Sequence, residues 1–510
     1  MAVQRRFWLA FGAAAGLCGC AVGPDYLFPE VSVPVHFGAS SQEIVSQATA
    51  PQPECVRWWK SLHDAELNRL IERAIAYNPD LEIALTRVQA VRTQQLVVIS
   101  AALPSVQAEG AIAQGTGNDL TKGRASPALR SAMNSQSLLK ETEVAGFDAA
   151  WELDLWGKYR RQLEAVRGDA QALAELRSNV LITVISEVAR TYTNLRGLQL
   201  RLQIAHNAVK AARKTAELAQ ARFDRGLTNE LDVTLAKREL ATVQAAVPVL
   251  LGAISNAESR LALLVGTYSA DVTAELRRYR GLPAVPSRLR PGVPAELLRR
   301  RPDIRQAERQ LAAATARIGV ATANLFPSVG LIGAAGLQGG KSSSAARTEA
   351  PLTGIWSFGP GAYWPVLDFG RLDALIDVQE LAAHEALVSY KKTILLSVEE
   401  VDQAIKQYRA QQQRLRELQV ALEQSKRAVT LATERYERGI TDFLNLLDAQ
   451  RQEYGIEDQT AVAQEAVITE YIALYKALGG GWELYDELPP IREAQPAVIA
   501  TARRLTSDWH

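Results

Sequence analysis

The sequence predicts a mainly α-helical chain with a membrane β part, built as two copies of one unit, and three observations carry that reading. Residues 151–266 recur without a gap as residues 364–479 at a constant offset of 213, so that Trp151 answers Trp364 and Gly266 answers Gly479. Each copy holds a long proline-free stretch with heptad spacing, and in each this stretch is preceded by two segments in which apolar and polar or small residues alternate. Repetition at a fixed offset marks a duplicated structural unit. Within the copies, Arg222, Arg225, Gly226, Thr228, Leu231, Ala236 and Arg238 return as Arg435, Arg438, Gly439, Thr441, Leu444, Ala449 and Arg451.

The N-terminus comes first in chain order. Arg5 and Arg6 precede an apolar stretch from Phe7 to Leu17, which ends in Leu17-Cys18-Gly19-Cys20. A basic start, a short apolar middle and a small-residue end make residues 1–19 a secretory signal, too short for a spanning helix. The ending resembles a bacterial lipobox, which implies cleavage before Cys20 and attachment of diacylglycerol and an N-acyl chain to it. Acyl chains contribute about 0.8 kcal/mol per buried methylene, so several on one residue anchor firmly. Ala21, where an aspartate would be the usual inner-membrane retention signal, implies sorting to the outer membrane.

Loss of residues 1–19 removes Arg5 and Arg6 and no acid, moving the formal net charge from +1 to −1. Basic and acidic residues alternate along the helical segments, so the concentrated cationic face that nucleic-acid binding requires is missing. Of the three cysteines only Cys55 would remain as a free thiol beside an acylated Cys20, which excludes an intrachain disulfide framework. The longest apolar runs outside the signal, at 181–185 and 245–254, fall short of the roughly 18 residues of a membrane helix. Any crossing of a bilayer is therefore expected from strands.

Pro24, Pro29, Pro34, Pro51 and Pro53 make residues 20–57 an extended tether from the lipid. The first repeat is placed at 58–266, with Asn78-Pro79-Asp80 as a helix start. Its strands are expected at about 105–114 and 143–153, where Val106, Ala108, Gly110 and Ile112, then Ala145, Phe147, Ala149, Trp151 and Leu153, share one face. In the second repeat, 296–480, strands are expected at about 328–338 and 355–366, with Trp356, Phe358, Ala362, Trp364 and Val366 on one face. About ten residues with one apolar face suit a transmembrane β-strand, although two soluble hairpins packed on helices have the same pattern. A Pro-rich connector, 267–295, separates the repeats, and 481–510 form a C-terminal tail.

From Lys158 to Arg225 the apolar seam runs through Leu195, Leu198, Leu202, Ala205, Val209, Ala212, Ala216, Ala219 and Phe223. The second copy has Tyr408, Leu415, Leu418, Leu422, Val429, Ala432 and Tyr436, with Gln411 and Ser425 as polar exceptions. A helix of about 65 residues extends on the order of 100 Å. It reverses at Arg225-Gly226-Leu227-Thr228 and at Arg438-Gly439-Ile440-Thr441, where glycine permits a left-handed cap and threonine is expected to N-cap the returning helix. Four strands cannot close a barrel, and an open sheet edge in lipid costs several kcal/mol per unsatisfied group. Strands must then be pooled between chains: a trimer supplies twelve strands and twelve helices, and a dimer eight of each.

These residues resemble the TolC/OprM-type outer-membrane factors, in the lipoprotein, NodT-like branch. The resemblance rests on Cys20-Ala21-Val22-Gly23-Pro24-Asp25-Tyr26, Trp58-Trp59, Arg301-Pro302-Asp303-Ile304, Leu325-Phe326-Pro327-Ser328, Leu367-Asp368-Phe369-Gly370 and Tyr436-Glu437-Arg438-Gly439. It implies a homotrimer with a 12-strand β-barrel in the outer membrane and a 12-helix α-barrel in the periplasm. The trimer would be a passive exit duct for small molecules such as drugs or toxic organics, working with a periplasmic adaptor and an inner-membrane pump of the RND or a similar type. It implies no enzyme activity and no cofactor beyond the lipid on Cys20. A lipid-anchored periplasmic coiled-coil scaffold, or an adaptor without a pore, is the alternative.

The resemblance places a periplasmic gate at Asp232 and Asp448, with Asn445 where some members carry a second acid and Leu235 opposite Asp448 in the repeat. A ring of carboxylates near an axis would attract cations; the same acids are also compatible with solvated helix faces. Gly226, Leu227, Thr228, Gly439, Ile440 and Thr441 are expected adaptor contacts as well as caps. Asp148 and Glu152 are expected either to line the pore or to form interface salt bridges. Gly340-Lys341-Ser342 looks like the end of a P-loop, but Ala335 stands where its first glycine belongs and a hairpin loop is expected there. His36, His63, His206, His384 and His510 lack metal-ligand spacing.

Overall fold

A computed structural model describes residues 21–34, 56–114, 139–276, 279, 281–286, 300–342 and 349–483. Cys20, residues 484–510 of the tail and residues 277, 278, 280 and 287–295 of the connector lie outside the described residues. The chain divides into two compact units, one of Met1–Val31, Thr86–Ala174 and Gln306–Lys392, the other of Ser32–Leu85, Glu175–Arg305 and Thr393–His510. In chain order, a 3-10 turn at Trp58–Leu62 is followed by α1 (Ala65–Tyr77), α2 (Pro79–Ala101), β1 (Ser105–Gln114), β2 (Leu139–Leu153), α3 (Lys158–Asp224), α4 (Glu230–Leu264) and α5 (Ser269–Leu276). After the connector come α6 (Pro302–Ala323), β3 (Ser328–Ser342), β4 (Glu349–Tyr363), α7 (Arg371–Glu437) and α8 (Phe443–Ala477). The duplication governs lengths to the residue: α3 and α7 both have 67 residues, and α4 and α8 both have 35.

The first unit is organised by one antiparallel sheet of order β1-β2-β3-β4, which leaves β1 and β4 as edges within the chain. Its register aligns Ala108, Phe147, Ala335 and Trp356 in one row across the sheet, and Gln107, Asp148, Ala334 and Ser357 in the next. Because side chains alternate along strands, the rows belong to opposite faces. One face carries Val106, Ile112, Phe147, Leu337, Leu352, Trp356 and Phe358, all exposed. The other carries mostly small and polar residues, with Val144 and Ile355 buried among them and Ile332 and Tyr363 exposed. Trp364 and Val366, expected on β4, lie beyond its end at Tyr363, since Pro365 has no N–H to continue a ladder. Gly340-Lys341-Ser342 forms the last three residues of β3 instead of a loop, with Lys341 opposite Glu349.

The N-terminal strap is fastened to this unit. Val22 N–H donates to Trp156 O at 3.1 Å, and Arg161 donates to Val22 O and Gly23 O at 3.2 Å and to Asp25 at 2.7 Å. Gly23 has φ +89°, and a Cβ there would stand 2.4 Å from Gly319 Cα, so only glycine fits. Tyr26 donates to Glu308.

The second unit holds the large apolar core. Trp58, Trp59 and Leu62 from the 3-10 turn, with Leu67, Leu70, Ile71 and Ala74 from α1, pack on Leu181, Ile185, Val188, Tyr192 and Leu195 of α3, Leu261 of α4 and Ile468, Tyr471 and Ile472 of α8. Trp58 stacks on Tyr475 at 5.7 Å. Asp64 caps α1 through Glu66 N–H and Leu67 N–H and accepts Tyr192 Oη at 2.7 Å. Inside the core Arg196 donates to Glu66 at 2.5 Å and Gln199 at 2.7 Å, and lies 4.9 Å from the Tyr192 ring centre. Asn78 caps α2 through Asp80 N–H at 2.9 Å, and its amide donates to Leu264 O at 2.8 Å, with Pro79 at the first helical position.

Two expectations about helices change. α4 contains an apolar window long enough to cross a membrane by length and composition. The run-length reading missed it because alanine and valine are spread through the window around Pro248 and Gly252. The seam on α3 buries Ile204 and Ala208 as well, whereas Phe223, expected in the seam, is 39% exposed. On α7 the intermediate positions follow the expected stripe, Gln411, Leu415, Leu418, Leu422, Ser425, Val429 and Ala432, down to buried Tyr436.

Candidate functional site: the paired hairpin tips

Each long hairpin ends in the same backbone device. Gly226 N–H donates to Phe223 O at 2.8 Å and Leu227 N–H to Arg222 O at 2.9 Å; at the other tip Gly439 N–H donates to Tyr436 O at 3.0 Å and Ile440 N–H to Arg435 O at 2.9 Å. The glycines have φ +70° and +72°, where a side chain would be strained. The threonines do not cap the returning helices. The caps are Asn229, which accepts Asp232 N–H at 3.1 Å, and Asp442. Thr228 lies one residue too early and donates to the Asp232 carboxylate, and Thr441 accepts the Asn445 amide at 2.8 Å.

The tips share a small core of Ala216, Ala219, Val233, Ala236, Tyr436, Phe443, Leu446 and Leu447, with Leu235 packed against it. Arg222 closes this core: its guanidinium lies 4.7 Å from the Tyr436 ring centre and donates to the carbonyls of Tyr436 at 2.8 Å and Glu437 at 3.3 Å. Tyr436 also meets the Phe443 ring at 5.5 Å. Farther along, Arg451 pairs with Glu239 at 2.6 Å, Gln450 donates to Thr215 at 3.0 Å, and Arg201 pairs with Asp458 at 2.7 Å.

Against that frame, Asp232 is half-buried within a tip, while Asp448 and Asn445 are exposed on α8. Glu453 and Glu457 continue the acidic side of α8; burial first, and then the charge of Glu457, raises the Glu453 carboxyl above the usual range. Leu227 and Ile440 are exposed, and so are Leu231 and Leu444, one helical turn away in each copy. The sequence reading did not single out this second pair, nor Arg222 and Glu239 as tip fasteners, although repetition and four-residue spacing mark the leucines. In the sheet, Asp148 is half-buried on the polar face. Glu152 instead pairs within the chain, accepting Lys158 at 3.3 Å and the Tyr159 hydroxyl at 2.9 Å, and burial followed by that bond pushes the Tyr159 phenol up to about 12. Among the described residues no cluster of His, Cys, Asp and Glu could hold a metal ion.

The family model for outer membrane efflux proteins matches residues 70–267 and 293–480. The chain is 30% identical over 482 residues to the cation efflux system protein CusC of Escherichia coli strain CFT073, covering 93% of this chain and 98% of CusC. It is 31% identical over 436 residues to the pyoverdine export outer membrane protein OpmQ of Pseudomonas putida KT2440, covering 84% and 88%. Its fold matches the outer-membrane channel OprN with a TM-score of 0.77 at 36% identity, over 91% of this chain and all of OprN. These likenesses favour a duct over a scaffold without a pore. The chain belongs to the outer membrane efflux protein family, as a non-enzymatic channel component of a tripartite efflux system in the outer membrane.

Proposed function

We propose that three copies of the chain close a twelve-stranded barrel in the outer membrane, continued by twelve helices, and pass small molecules outward without acting on them chemically. The observation that carries this reading is the sheet: one face with large exposed apolar side chains, the other mostly small and polar, and β1 and β4 left as its edges among the described residues. In hydrocarbon such edges must pair, and pairing β1 with β4 of the next copy satisfies both. Relatives named for cation efflux and for pyoverdine export match this chain over 93% and 84% of its length, as expected if the duct leaves selection to a pump.

On this reading Cys20 carries the lipid, and the strap that begins at Ala21 holds it beside the strand-to-helix junction at Trp156. The tips, Gly226-Leu227-Thr228 and Gly439-Ile440-Thr441 with Leu231 and Leu444, meet a periplasmic adaptor, which links the duct to an inner-membrane pump. Asp448, with Asn445 one turn earlier, lines the periplasmic constriction, and Asp232 steadies the tip through Thr228. Asp148 faces the lumen. The residue ranges 58–266 and 296–480 serve as the two repeat units. The test combines the native mass of the detergent-extracted protein with conductance in planar bilayers. A trimeric mass with larger conductance or altered cation preference for Asp448→Ala is expected. A monomer would refute the assembly, and an unchanged conductance would remove Asp448 from the constriction.

A further inference from the structure

The duplication makes one contact visible that a single chain cannot complete. Arg222 stacks on Tyr436 and donates to the carbonyls of Tyr436 and Glu437. The residues at the same places in the other copy are Arg435, Phe223 and Asp224, on tips with the same backbone bonds through the glycine turn and the same positive φ at glycine. Yet their surroundings differ. Tyr436 is 3% exposed, Phe223 is 39% exposed, and Arg435 is exposed.

A trimer of duplicated chains is pseudo-sixfold, and an operation that carries copy one onto copy two then carries copy two onto copy one of the next chain. Applied to the Arg222 contact, it sets a guanidinium over an aromatic ring that a single chain leaves uncovered. Resting on the trimeric reading above, we propose that Arg435 clamps Phe223 of the partner subunit and donates to the backbone carbonyls of the partner's Phe223 and the partner's Asp224. The tips then carry six like clamps, three within chains and three between them.

The two kinds of seam are unequal. Within the chain, Arg451 meets the carboxylate of Glu239; the same operation brings Gln452 to the partner's Arg238, which replaces a charged acceptor by a neutral amide. The Arg201–Asp458 pair becomes Arg414 against the partner's Ala245, and the Thr215–Gln450 bond becomes Ala428 against the partner's Lys237. The Gln452 bond is charged on the arginine side only, and Ala245 and Ala428 offer no side-chain partner at all. The seam between chains therefore has fewer and weaker ties, the Arg435 clamp is its main polar fastening at the tip, and it parts before the seam within the chain.

The test uses the full lipidated chain in outer membranes, with Cys55→Ser as background and a short bismaleimide as probe. Arg435→Cys with Asp224→Cys should give covalent trimer-sized species on denaturing gels, whereas Arg222→Cys with Glu437→Cys should stay at single-chain mass. Gln452→Cys with Arg238→Cys tests the same seam should the first pair fail to reach the membrane. In bilayers, Arg435→Ala should raise conductance at least as much as Arg222→Ala. Single-chain mass for both seam pairs, in a sample whose native mass is trimeric, would overturn the clamp and leave the trimer standing. A monomeric native mass would overturn the trimer, and the clamp with it.

Discussion

Trp58 and Trp356 show two opposite uses of an indole in one chain. Trp58 is 1% exposed, stacked on Tyr475 and enclosed by α1, α3 and α8. Trp356 is 78% exposed, in a row of the sheet whose neighbours include Phe147, 61% exposed. In the first region the chain supplies its own apolar surroundings. In the second, Phe147, Trp356 and Phe358 stand exposed among the described residues, which is the arrangement of a surface solvated by lipid. The comparison separates stability made by packing from stability made by environment, and substitutions in each region should fail for different reasons.

The largest effect belongs to the enclosed region. Glu66→Ala removes the carboxylate that Arg196 meets at 2.5 Å, where the arginine side chain is 0% and the glutamate 2% exposed. Breaking one side of a buried pair costs about 3–5 kcal/mol, because a charge stays behind without its partner. Thermal melting followed by circular dichroism should show that loss, and Glu66→Leu combined with Arg196→Met should recover most of it. If Glu66→Ala melted like the parent chain, the pair would be dispensable to the core.

A smaller effect, confined to one face, is expected in the sheet. Trp356→Arg places a cation on the apolar face and should cost about 2–4 kcal/mol near the bilayer midplane. Ser357→Arg, one residue on and on the polar face, should be tolerated. Refolding into vesicles, read by the heat-modifiable shift on gels against urea, compares the two. Equal losses would mean that neither face meets lipid, and the distinction between the two regions would collapse.

The repeat made much of this architecture legible in the sequence. A constant offset of 213 between the copies carries helix ends, glycine caps and seam alike, because a duplicated unit keeps its local hydrogen bonding. Alternation placed β1 and the two faces of β2. Less legible was whatever depends on residues distant in sequence. Glu66 and Arg196 are 130 positions apart and look like ordinary helix-face charges until α1 packs on α3. Arg222 and Tyr436 were visible as repeated residues, but nothing local says that one lies over the other. The threonine caps failed by a single residue because Asn229 and Asp442, also good capping types, stand between Thr228 or Thr441 and the helix. At the end of β4 the apolar pattern continued through Trp364 and Val366, and Pro365 overruled it.

The mildest test sharpens the comparison by pH. Tyr408, 2% exposed, lies on α7 with its ring 6.3 Å from that of Tyr471. Burial first, and then the neighbouring Tyr471, pushes its phenol up to about 12, against the lowering effect of the Gln412 amide, which donates to its oxygen at 2.9 Å. An unfolded tyrosine loses its proton near pH ~10. The folded phenol holds its proton longer, so its contribution to stability is complete below the unfolded value and is lost as pH rises from there through the folded one. Melting temperature read by tryptophan fluorescence of the core should therefore fall between pH ~10 and ~12, and Tyr408→Phe, which has no proton to lose, should flatten part of that fall. Tyr454, also pushed up to about 12 by burial and then by Glu453, adds to the slope and is separated by Tyr454→Phe. A Tyr408→Phe chain with the parental slope would show that burial in the core does not hold that proton.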